Sequence, residues 1–186
     1  MKFLSFCALS FAVASSAVAS TTTDVAPIDI SSLAGSYTSE PHTDASTAEK
    51  IRDTLALYAF AIDGKEFDAL SKVFTADAVA NYSAPLNVLT PLKNIQSVLS
   101  TSLGCVTTQH MYGTQRIDVL SPKTAKSVTY YRAAHFGKGD KANDVAYAYG
   151  QYQDNWQRQP NGAWRIVHRN LVYMGPNIGD LSVFVC

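Results

Sequence analysis

The amino-acid sequence predicts an α+β domain, with three helices packed against a mainly antiparallel sheet. Two observations predict it. Between Ser46 and Leu99, apolar residues recur at helical spacing and are broken by cap and turn residues. Beyond Cys105 the period changes, and four long runs enriched in Val, Thr, Tyr and Trp are separated by turn signals. Consecutive hairpins make antiparallel pairing the economical connection for those runs.

The chain opens on a segment that reads as a signal peptide, residues 1–19. Met1-Lys2 supplies a positive start, Phe3 to Val13 is apolar, and Ala17-Val18-Ala19 offers small residues for cleavage. The apolar run is too short to span a bilayer, and no later stretch is long and apolar enough to try. The expected localisation is therefore secreted, in the extracellular space or the secretory lumen, with no membrane contact after cleavage. Residues 20–44 are rich in Ser, Thr, Asp and Pro without periodicity, and are expected to form a flexible lead-in. About 165 residues remain after the leader, enough for one sizeable core. The folded domain is expected over 45–186, with no internal repeat and no second domain.

Within that domain, Ser46-Thr47-Ala48-Glu49 reads as a capping box, followed by Ile51, Leu55, Tyr58, Ala59 and Ile62 on one helical face. Gly64 ends this helix. A short second helix over about 66–74 buries Phe67, Leu70, Val73 and Phe74, and a strand fits 77–84. Thr90-Pro91 opens a third helix with Leu92, Ile95, Val98 and Leu99 inward. Long strands follow at 106–120, 125–137, 144–158 and 163–174, with turns at Ser121-Pro122-Lys123 and Pro160-Asn161-Gly162.

Fifteen basic residues balance fifteen acidic ones, and no Lys/Arg cluster is present. That argues against nucleic acid or an anionic membrane as partner. Ten tyrosines point instead to a wet pocket wall, because each ring brings a hydroxyl that needs a partner. Cys7 leaves with the leader, so Cys105 and Cys186 are an even pair in an oxidising route, either bridged or as two free thiols. A bridge closing that loop would contribute about 4–5 kcal/mol in the chain-entropy model. Asn81-Tyr82-Ser83 is a glycosylation sequon, in a stretch that reads as strand interior.

Four residues stand out as candidates for chemistry. Asp63 closes the first helix, where the dipole disfavours a carboxylate, so it either has a positive partner such as an imidazolium or is a solvated turn residue. His110 and His135 interrupt strand patterns of small and apolar residues, and imidazole titrates near neutrality. Each is also compatible with a satisfied core histidine. Tyr82 alternates with Ala78 and Ala80, which leaves its hydroxyl room to reach a ligand or lets the ring pack on the sheet. Two His and a carboxylate are a known iron triad, but no close ligand pair supports a metal here. No nucleophile elbow or Cys/His signature is present. His42 and His168 receive no role.

The stretch Tyr58-x4-Asp63-Gly-Lys-Glu-Phe67-Asp68-x-Leu70-x3-Phe74-x2-Asp77-Ala78 resembles the opening of SnoaL-like domains in the nuclear transport factor 2-like superfamily. The helix–helix–strand–helix–meander order agrees with that superfamily over residues 46–174. Within it the sequence is most similar to scytalone dehydratase-like proteins, through Asp63, Tyr82, Thr108-Gln109-His110 and Arg132-Ala-Ala-His135. The register leading to Asn155-Trp156 and Asn161-Gly162-Ala163-Trp164 agrees as well. Three departures accompany the match. Ile62 stands where those proteins have a tyrosine, Gln151 and Gln153 fall where they have a substrate-binding Ser and Asn, and they carry no comparable leader.

The resemblance implies a cone-shaped, barrel-like fold, in which three helices and a curved sheet enclose a pocket. It implies cofactor-independent lyase or isomerase chemistry on a small cyclic carbonyl-bearing metabolite, of the dehydratase type. In that scheme His110 removes the proton α to the carbonyl, and Tyr82 donates to the oxygen. His135, oriented and kept basic by Asp63, protonates the departing hydroxyl. Ile62, Tyr131, Gln151 and Gln153 would line the substrate site. The alternative is a secreted carrier that binds a small molecule in the same pocket without turnover, a reading that Ile62 favours. A protein–protein adaptor has only the superfamily name behind it, and homo-oligomer formation stays open.

Overall fold

The computed structural model describes residues 25–37 and 44–185, so the leader and Cys186 lie outside the described residues. Helix α1 is a single turn, Ile30–Leu33, and α2 spans Ala45–Asp63. The cap of α2 is Asp44, two residues before the expected box, and its carboxylate accepts from Ser46 N and Thr47 N at 3.2 Å each. A carboxylate at this point also complements the positive end of the helix. The buried face of α2 carries Ile51, Leu55, Tyr58 and Ile62 at the expected spacing, and Gly64 is its C-cap. The short second helix is a 3-10 turn, Phe67–Lys72, and α3 spans Leu92–Ser102 with Leu92, Ile95 and Leu99 buried.

Among the described residues seven strands form one sheet: β1 Phe74–Asn81, β2 Val88–Leu89, β3 Thr107–Val119, β4 Thr124–Phe136, β5 Val145–Arg158, β6 Trp164–Tyr173 and β7 Ile178–Gly179. Their order is β2-β1-β6-β5-β4-β3, and β7 adds to β5. All pairs are antiparallel except β1 with β6, because the chain returns through α3 and the β3–β5 meander before β6 docks beside β1. The pairing register shifts between Tyr112 and Gln115 on β3 and between Asn155 and Trp156 on β5. Such irregularities bend long strands. The sheet curves over α2 and α3, and Ile51, Leu55, Phe74, Ile95, Trp156 and Ile166 fill the space between the layers. None of the described helices is long and apolar enough to cross a membrane.

β1 begins at Phe74, three residues ahead of the expected 77–84, β2 has no counterpart in the sequence expectation, and two larger segments depart from it as well. Residues 25–37, expected within a flexible lead-in, lie on the convex face of the sheet. The Gln153 side chain pairs with both the N–H and the C=O of Ile28, at 2.7 and 2.6 Å, as a neighbouring strand would. Asn170 Nδ2 donates to Val25 O, Leu33 is buried, and Lys126 Nζ stands over the Tyr37 ring. The segment has no periodicity because side chains, and not a ladder, hold it. The second departure is the tail. Beyond β6 it crosses the end of the sheet through β7, then closes with a 3-10 turn at Leu181–Phe184 capped by Asp180. Val183 packs with Val106 and Ala146, and Lys141 Nζ donates to Ser182 O and Val185 O.

Candidate functional site

A cavity of about 430 Å³ opens between the concave face of the sheet, α2, α3 and the tail. Strand alternation explains which residues reach it. His110 on β3, Tyr131, Ala133 and His135 on β4, and Ala146, Ala148 and Tyr152 on β5 all turn inward. From the helical side come Tyr58 and Ile62 of α2, and Tyr82 stands just past the end of β1. Asn177, Leu181 and Phe184 of the tail complete the rim. Tyr131 lies against Gly150, where a Cβ would stand 2.7 Å from its Cε1, so the absent side chain lets Tyr131 stack on Tyr152 at 4.5 Å and 12°.

Asp63 belongs to His110. Its Oδ1 accepts from His110 Nδ1 at 2.7 Å and from Thr108 Oγ1 at 2.8 Å, while Oδ2 accepts the His110 backbone N–H at 2.8 Å. Lys65 Nζ donates to Thr108 Oγ1 at 3.0 Å. Partial burial raises the Asp63 pKa, but the hydrogen bonds from His110 and Thr108 outweigh it and hold the carboxyl below its ordinary range. The awkward dipole position is thereby answered by three donors. With its Nδ1–H committed to Asp63, His110 presents Nε2 as the free base, and its side chain is only 7% exposed.

His135 stands apart. The expected Asp63–His135 pair is not formed, because β3 and not β4 is the strand against the end of α2. His135 Nδ1 instead donates to Ala146 O at 3.2 Å, and Phe184 covers its ring at 4.9 Å between centroids. Burial, then the proximity of His110, lowers its pKa from 6.5 to about 4. A neutral imidazole donating through Nδ1 presents Nε2 as an acceptor. The two histidine rings are 6.5 Å apart.

Of the other expected residues, Tyr82 and Tyr131 reach the cavity and Ile62 supplies apolar wall. Burial raises the pKa of both tyrosines, so each keeps its proton and can donate it in a hydrogen bond. Gln151 and Gln153 do not reach it. They alternate with Tyr152 and turn to the convex face, where Gln153 holds Ile28 and Gln151 is fully buried with neither amide atom paired among the described residues. Asn81 ends β1, with its Oδ1 accepting Ser83 N at 2.9 Å. Cys105 is disulfide-bonded, and its expected partner Cys186 lies outside the described residues. No group of three or more potential ligands for a metal is found among the described residues.

Sequence reasoning missed two contributors. Tyr58 was assigned to a helix face, yet its hydroxyl stands 3.2 Å from that of Tyr82. Its place one turn before Ile62 was the available signal. Behind it lies Arg169, fully buried and paired with Asp154 through Nε and Nη2 at 2.7 and 2.8 Å. No local pattern marks two charges fifteen residues apart on neighbouring strands.

The His–Asp pair and the two buried phenols sit in a chain that resembles known proteins in sequence and in fold. Residues 43–170 match the SnoaL-like domain. The chain belongs to this family. An uncharacterized protein of Mycobacterium tuberculosis is 32% identical over 121 residues, spanning 64% of this chain and 80% of that protein. Among solved structures, a Novosphingobium aromaticivorans protein provisionally named an aromatic ring hydroxylase superposes with a TM-score of 0.66 at 22% identity, covering 76% of this chain and 98% of that one. One from the same organism, provisionally named a scytalone dehydratase, gives 0.64 at 21%, covering 73% and 88%. A hexachlorocyclohexane dehydrochlorinase gives 0.63 at 11%, covering 76% and 93%. At these identities the structural likeness is one of fold. The SnoaL-like chain shares with them its fold.

Proposed function

We propose that this SnoaL-like protein is a secreted, cofactor-independent lyase or isomerase that moves a proton on a small cyclic carbonyl compound. The observation that carries the reading is the His110–Asp63 pair, with the free Nε2 on a largely apolar cavity. His110 Nε2 takes the proton from the carbon α to the carbonyl, and the C–H electrons move to the carbonyl oxygen as an enolate. Asp63 stabilises the imidazolium, and Tyr82 donates to the oxygen where charge develops. When the enolate collapses, a β-hydroxyl leaves with the proton from His110 as water, or the proton returns at another carbon. His135 orients a substrate hydroxyl by accepting its hydrogen bond. The names of the dehydratase-like and dehydrochlorinase neighbours are compatible with eliminations of this kind.

The address belongs to the same proposal. Residues 1–19 would direct export, and Cys105 would pair with Cys186 in the oxidising route. The packing of Val183 on Val106 supports that pairing, since it brings the tail beside Cys105. Intact mass of the secreted protein, with and without reductant, tests both parts. The chemistry is tested with the bicyclic ketone 2-tetralone in D₂O, followed by NMR. The protein should accelerate exchange at the carbon α to the carbonyl, and His110→Ala should lower that rate about 10²-fold or more. Ketone binding without any exchange would favour the carrier reading, which the apolar Ile62 supports.

A further inference from the structure

Tyr82 is the expected oxyanion donor, but the side chains behind it have no part in that scheme. Tyr58 is 2% exposed, lines the same cavity, and its hydroxyl is 3.2 Å from the Tyr82 hydroxyl. The Arg169 guanidinium carbon sits 4.3 Å from the Tyr58 ring centroid, 4.0 Å from that of Tyr152 and 5.4 Å from that of Phe74. Asp154 occupies Nε and Nη2, whereas Nη1 has no hydrogen-bond partner among the described residues. A dry cation on a ring face withdraws electron density from that ring. In the hydroxyl pair the polarised member is therefore Tyr58, the stronger donor. Either hydroxyl of the pair has the geometry to donate, and with Tyr58 donating the Tyr82 O–H is left free to point at a ligand.

We propose that Tyr58 is a positioning residue, and that Arg169, Tyr58 and Tyr82 form a relay that binds an oxyanion on a flat ring substrate. Hydrogen bonds in series polarise one another, so a Tyr82 that accepts from Tyr58 donates more strongly. The relay supplies a hydroxyl from one helical turn before Ile62, on the same face of α2. The stacked Tyr131 and Tyr152 rings add a planar wall beside it. The assignment rests on the reading of the cavity as a proton-transfer site, with an enolate or phenolate as the species bound.

The probe is 2-naphthol, whose absorbance distinguishes the neutral from the ionised form. Bound to the wild-type protein, it should ionise at lower pH than in water. Tyr82→Phe should weaken the preference for the anion about 10–100-fold, the scale of one hydrogen bond to a charged group. Tyr58→Phe, which keeps the ring on Arg169, should weaken it about 3–10-fold. The double variant should match Tyr82→Phe alone, because Tyr58 acts through Tyr82. The relay is overturned if Tyr58→Phe behaves as wild type, if the two losses multiply, or if wild-type protein does not favour the anion. Exchange of 2-tetralone separates the two ideas. Failure of the naphthol test with His110-dependent exchange intact removes the relay alone, and absence of that exchange removes the proton-transfer reading.

Discussion

Tyr152 and its neighbours Gln151 and Gln153 are adjacent on one strand and serve opposite faces of the molecule. On the concave face, Tyr152 joins Tyr58 and Tyr131 around the cavity. On the convex face, Gln153 binds Ile28. The family resemblance makes the glutamines the expected ligand binders. The pleat decides otherwise, since successive side chains leave a strand on opposite sides. A one-residue step therefore separates a residue that lines the cavity from one that holds the N-terminal segment.

The concave face contains a second contrast. His110 and His135 share a residue type and a cavity, and their rings are 6.5 Å apart. His110 has a carboxylate at Nδ1, which fixes the ring and leaves Nε2 toward the cavity. His135 has only a backbone carbonyl there, beneath the Phe184 ring, and stays neutral. Neighbours, not identity, divide the labour.

The largest expected effect lies on the concave face. Asp63→Asn should reduce 2-tetralone exchange about 10²–10⁴-fold, because an amide neither fixes the Nδ1–H tautomer nor stabilises the imidazolium. An unchanged rate would make His110 independent of its carboxylate. Next comes the buried ion pair: Arg169→Met alone should lower unfolding free energy by about 3–5 kcal/mol, measured by urea titration. The paired change with Asp154→Leu should recover most of that loss. If the single variant is as stable as wild type, Asp154 is not the charge that Arg169 neutralises.

Acid stability probes His135. Its folded pKa of about 4 lies below the ordinary 6.5, so the unfolded chain takes up that proton first as pH falls. The stability contributed is complete above about 6.5 and is lost between there and about 4, on the order of 3 kcal/mol. Asp63, depressed below 3.8, gives up its share at lower pH. Thermal unfolding of His135→Phe should lack the decline in the upper window, and a parallel decline would mean another group titrates there. The smallest effect belongs to the convex face. Gln153→Ala should cost about 1–2 kcal/mol for two lost hydrogen bonds, with exchange unchanged. A fall in exchange would mean that the N-terminal segment shapes the cavity through the sheet.

The sequence by itself determined α2, α3 and the four long strands, because each carries its own period, whereas α1, β2 and β7 carry none and β1 begins three residues ahead of the expected 77–84. The face of Ile51, Leu55, Tyr58 and Ile62 places α2 within a residue or two, and the four long strands fall where their turn residues bound them. It also determined that Asp63, Tyr82, His110 and His135 belong together, through their match to the family. What only the tertiary structure decided is who touches whom. Asp63 meets His110 because β3, and not β4, runs beside the end of α2. Tyr58 meets Tyr82, and Arg169 meets Asp154, across separations of 24 and 15 residues. Residues 25–37 dock without any pattern of their own, because the groups that fix them, Gln153 and Asn170, lie more than a hundred residues away. Local period reports how a segment buries itself. Pairing between distant side chains depends on the curvature and register of the whole sheet, which no single segment encodes.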